Sequence, residues 1–118
     1  MIDNRFYEGF DGEAEVSFVA DANRLVIWNG YFETILSSLL DCGLEKKGIL
    51  KEYFNLEGWY DDSPWIIEDV PLTISQLKSF DINKVRQTSL KEDLEEIVKT
   101  IISFLENNRL RKIYIEYE

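Results

Sequence analysis

The chain has 118 residues with 45% hydrophobic and 14% aromatic content, which suits one domain with a packed core and argues against a disordered segment. It has no histidine and a single cysteine, so it has no Ser-His or Cys-His nucleophile, no His-based zinc site, no internal disulfide and no Cys-rich metal cluster of its own. Its formal charge of −10 falls entirely in residues 1–70, with 15 acidic against 5 basic side chains, while residues 71–118 carry 8 of each; nucleic acid and anionic membranes need the opposite balance.

The start of the chain, Met1-Ile2-Asp3-Asn4-Arg5-Phe6-Tyr7-Glu8, lacks the basic opening and apolar run of a signal peptide. Residues 14–20 alternate Val16 and Phe18 with Glu15 and Ser17, the period of a half-buried strand. Asp21-Ala22-Asn23-Arg24 supplies turn formers, and Leu25-Val26-Ile27-Trp28 gives a second apolar run. A hairpin competes here with one long helix over residues 22–41; the β-branched Val26 and Ile27 and the Asn29-Gly30 punctuation favour strand first and helix after. From about Gly30 to Asp41, Tyr31, Ile35 and Leu39 adjoin Phe32, Leu36 and Leu40 in two helical stripes. Gly43 stands where a left-handed glycine ends such a helix.

Residues 48–56 carry a shorter helical pattern through Ile49, Leu50, Tyr53, Phe54 and Leu56, closed by Gly58. Trp59 to Trp65 reads as a loop, Ile66-Ile67 as a short strand, and residues 72–80 as a brief helix around Leu72, Leu77 and Phe80. Ser89 and Glu92 have capping-box spacing. They precede a strongly periodic helix in which Leu94, Ile97, Ile101 and Phe104 are expected to be buried, ending near Asn107-Asn108. Its longest apolar stretch, Ile97 to Leu105, is interrupted by Lys99, Thr100 and Ser103 and falls well short of the roughly 18 residues of a membrane span. Arg111 to Tyr117 alternates Ile113, Ile115 and Tyr117 with Lys112, Tyr114 and Glu116, a C-terminal strand. The expected fold is a single α+β domain over residues 1–118, with a small antiparallel or mixed sheet packed with helices.

Candidate chemistry is sparse. The pairs Asp61-Asp62 and Glu68-Asp69 lack the spacing of a calcium loop. Gly43 and Gly48 are separated as in a P-loop, but Ile49 and Leu50 replace its Lys and Ser/Thr. Cys42 is expected at a helix end, where nothing stabilises a thiolate. No cofactor, metal or catalytic residue is expected. The most informative segment interleaves Trp59, Tyr60 and Trp65 with Glu57, Asp61, Asp62, Glu68 and Asp69. Aromatic anchors amid carboxylates suit a contact surface for a basic partner; the plainer account makes the tryptophans core and the acids solvated.

The run Gly58-Trp59-Tyr60-Asp61-Asp62-Ser63-Pro64-Trp65-Ile66-Ile67-Glu68-Asp69-Val70, with Leu77 and the closing Tyr114-Ile115-Glu116-Tyr117, resembles small acidic immunity proteins of bacterial polymorphic toxin systems. The resemblance is in particular to those of contact-dependent growth inhibition, over roughly the C-terminal half. It implies a cytoplasmic protein, not an enzyme, that binds a cognate toxin C-terminal domain and blocks its active site or substrate access. Many such toxins are nucleases with basic clefts, so an acidic inhibitor suits them. The alternatives are a small carboxylate-dependent enzyme, with or without a metal, and an adaptor whose partner is not a toxin.

Overall fold

Residues 14–28 form the expected hairpin, with β2 (Glu15–Ala20) antiparallel to β3 (Asn23–Trp28). The two-residue connection Asp21-Ala22 bends through a left-handed Asp21, φ 52°, a conformation aspartate tolerates better than most residues. The turn is shorter than the sequence reading allowed, because Asn23 and Arg24 already belong to β3. The chain then enters α1 (Asn29–Asp41), which excludes one continuous helix over 22–41. Gly43, φ +86°, donates to Leu40 O while Leu44 donates to Leu39 O, the paired bonds of a Schellman ending.

The structure, a computed structural model, describes residues 1–55, 63–85 and 91–118. The remaining elements are β1 (Ile2–Phe6), α2 (Ile49–Asn55), β4 (Trp65–Ile66), α3 (Val70–Lys78), a 3₁₀ turn at Ile82–Lys84, α4 (Lys91–Asn107) and β5 (Tyr114–Tyr117). Together they make an α+β domain, a five-stranded mixed sheet packed with four helices, its strands ordered β1-β3-β2-β5-β4. Among the described strands only β1 is parallel to its neighbour, pairing with β3. Gly58, Leu56, Ser89 and Leu90, which carried a helix end and half a capping box in the sequence reading, lie outside the described residues.

Strand alternation decides what the sheet buries. Val16, Phe18, Leu25, Ile27 and Ile115 share one face through their register, and all belong to the main core with Phe32, Ile35, Leu36 and Leu39 of α1. Leu94, Ile97, Val98, Ile101 and Leu105 bring α4 into the same core. Ile113 and Ile115 are buried as expected, but Phe104 is only partly so and packs at the margin. The other sheet face carries Ser17, Val19, Arg24, Val26 and Glu116. Val26 is buried yet stands outside the main core. Across this face Arg24 of β3 reaches over β2 to Glu116 of β5, Nη1 to Oε2 2.8 Å. Buried Asn108, just past α4, accepts from Asn23 Nδ2 at 3.0 Å and from Arg111 Nη1 at 3.1 Å, tying the helix end to the hairpin.

Candidate functional site

Strand β4 forms one edge of the sheet. It is two residues long because Pro64 precedes it and α3 begins soon after it. Ser63 Oγ accepts from the Tyr117 N–H at 2.9 Å, and Ile67 N–H donates to Ile113 O at 2.9 Å, so β5 and the residue just before it hold the segment at both ends. Trp65 pairs with Ile115 and therefore lies on the helix-covered side of the sheet. Ile66 lies on the other side and is 46% exposed.

After Ile67 the chain turns into α3. Asp69 caps it, Oδ1 accepting from the Leu72 N–H at 2.9 Å, with proline in the first turn; both are standard helix-start chemistry. Helix α3 then runs beside the entry to α2. Gln76, almost wholly buried, donates from Nε2 to Lys47 O at 2.8 Å. That bond joins the two helical walls of a cavity.

The cavity measures about 420 Å³ and opens between α2, β4 and the start of α3. Its apolar lining comes from Ile49, Trp65, Ile67, Leu72 and Ile115, and its acidic side chains are Glu52, Glu68 and Asp69. All three acids are exposed, while Trp65 is half-buried and also packs against the core. Trp65 thus contributes both to the core and to the wall of a recess. At the low end of the range for ligand pockets, this volume suits one or two side chains better than a large cofactor.

Of the residues singled out in the sequence, Trp65, Glu68 and Asp69 come together at this cavity. Glu57, Trp59, Tyr60, Asp61 and Asp62 lie outside the described residues. Sequence reasoning missed Ile49, Glu52 and Leu72. Ile49 and Leu72 were legible only as apolar positions of short helices, and nothing in the chain order links α2 to β4.

Elsewhere the chemistry-bearing residues have structural surroundings. Gly43 ends α1 and Gly48, φ +53°, leads into α2, so the P-loop-like interval spans two helix boundaries. Cys42 is the half-buried C-cap of α1. Glu15 and Glu118 are neighbours through paired backbone bonds of 2.8 and 3.0 Å. Burial, with the Glu118 charge beside it, raises the Glu15 carboxyl above its usual value. Burial likewise raises the Tyr53 phenol. Among the described residues no three His, Cys, Asp or Glu side chains are gathered closely enough to hold a metal ion, and no helix is long and apolar enough to cross a membrane. No family model, curated protein or solved structure matches the chain.

Proposed function

We propose that this chain is an immunity protein: it binds a cognate toxin domain with a basic surface, in the cytoplasm, and neutralises it by covering its active site or blocking substrate access. One observation carries the reading. Residues selected from the sequence as an aromatic and acidic contact surface, Trp65, Glu68 and Asp69, line one recess at the edge of the sheet. An apolar recess with carboxylates around it offers both parts of a tight contact. The apolar lining receives an anchor, and the charges steer a basic partner toward it.

The net charge of −10 supports the same partner class. Long-range attraction raises the encounter rate with a basic domain and disfavours acidic competitors. The protein's part is occlusion and it needs no catalytic group of its own. Coexpression with the C-terminal domain of the adjacent upstream reading frame, where the proposal expects the toxin, provides the test. Restored growth, with the two chains copurifying at equal stoichiometry, is the expected result. Persistent growth arrest with this chain folded and abundant would refute the proposal.

A further inference from the structure

The chemistry of the cavity narrows what enters it. Its base is apolar, through Ile49, Ile67, Leu72 and Ile115, and Trp65 adds an indole. Around that base stand Glu52 from α2 and Glu68 and Asp69 ahead of α3. An anion is disfavoured: although a helix begins here, Asp69 already occupies its Leu72 N–H, and two further carboxylates face any approaching negative charge. A small hard cation is no better served, because among the described residues no three acids are gathered as metal ligands. A wholly apolar side chain would fill the base but draw nothing from the carboxylates around it.

We infer that the cavity receives an arginine side chain projecting from the partner protein, its aliphatic stem against Ile49 and Leu72 and its guanidinium among Glu52, Glu68 and Trp65. Arginine combines the required features. Its stem buries apolar surface while the head keeps its charge. The planar head binds carboxylates through a fork of N–H donors and stacks on aromatic rings, which lysine's compact ammonium does less well. The volume of about 420 Å³ accommodates such a side chain with room for water. This assignment rests on the chain being a partner-binding protein, and it names the group that one site on it recognises.

The test uses the whole chain and a small probe. ¹H–¹⁵N spectra are recorded while n-butylguanidinium chloride is added, with neutral N-butylurea of similar shape as the control. The expected result is saturable shifts at the Trp65 indole N–H and at the amides of Ile49, Glu52, Glu68 and Thr73. The cation should bind about threefold or more tightly than the urea, the scale set by one exposed charge or cation–π contact. Glu52→Gln and Glu68→Gln, both at exposed positions, should each remove most of that preference, while Glu8→Gln, in the β1–β2 connection, should leave it unchanged. Equal binding of the two probes, or weak shifts spread over all acidic segments, would overturn the assignment. So would a preference that survives both cavity substitutions. A failed titration in a chain that still neutralises the toxin rejects arginine alone. Selective probe binding in a chain that neutralises nothing rejects the immunity reading and leaves the arginine site standing.

Discussion

Gly48 and Leu72 approach so closely that a Cβ built on Gly48 would lie 3.2 Å from Leu72 Cδ2. The glycine also sits at φ +53°, where a side chain is strained. Its lack of one lets the entry to α2 lie against α3 and form the cavity between them. Gly48→Ala should therefore lower stability by more than about 1 kcal/mol, through left-handed strain and crowding together. Urea unfolding measures this; an unchanged midpoint would mean that neither effect operates.

Gln76 supports the same junction from the other helix. Its donation to Lys47 O is made by a nearly buried side chain, so Gln76→Ala leaves that carbonyl without its amide donor. The expected loss is about 1–3 kcal/mol, with amide exchange quickened at residues 47–50 before the rest of the core. Uniform exchange throughout the molecule would dissociate Gln76 from the geometry of the cavity.

Glu15 gives a pH dependence of definite sign. Its carboxyl is raised by burial and by Glu118, so over the pH range between its unfolded and native values the native state holds a proton that the unfolded chain has released. Stability from this group is therefore greatest at low pH and declines as pH rises through the raised native value. Glu15→Gln should be more stable than the parent at pH 7 and should converge with it near pH 3.5, where both forms are uncharged. Thermal unfolding at the two pH values measures the difference; a variant less stable at pH 7 would reverse the sign.

Asn108 is a buried polar residue with its carbonyl oxygen shared between Asn23 and Arg111. Replacing it by alanine removes the link between the end of α4 and the β2–β3 hairpin and leaves the Asn23 amide short of an acceptor. A loss of about 1–3 kcal/mol is expected. By comparison, Glu116→Gln weakens a partly exposed pair with Arg24 and should cost no more than about 1 kcal/mol, less at high salt. Equal losses in the two variants would contradict this ordering.

The elements with strong periodicity were legible in the sequence. Val16 and Phe18, the stripes of α1, and Leu94 to Leu105 each bury a continuous face, and that repetition left its mark in the chain. Strand β1 was not legible: it is an edge strand in which Phe6 alone is buried and Ile2 is 66% exposed, so no alternation marks it. The cavity was half legible. Trp65, Glu68, Asp69 and Leu72 are near one another in sequence, whereas Ile49 and Glu52 of α2 join them only through tertiary contacts that no local pattern encodes.

The aromatic and acidic run of the sequence also contains Asp61 and Asp62, and the proposed function gives their charge a role in steering association. Replacing both by asparagine should slow binding of the toxin domain at low salt and change little at high salt, because steering charges act through the encounter rate. Tyr60→Ala should instead quicken dissociation, as loss of an aromatic anchor does. Surface plasmon resonance at two ionic strengths separates the effects; unchanged rates in both variants would place the contact surface elsewhere on the chain.

The most direct measurement is the toxic activity of the purified C-terminal domain from the adjacent upstream reading frame, where the proposal expects the toxin, as this chain is added in increasing amounts. An inhibitor that occludes the toxin one to one predicts a linear fall that reaches background at one molar equivalent when the toxin concentration is well above Kd. Full toxin activity in the presence of a severalfold excess of folded chain would contradict the immunity reading.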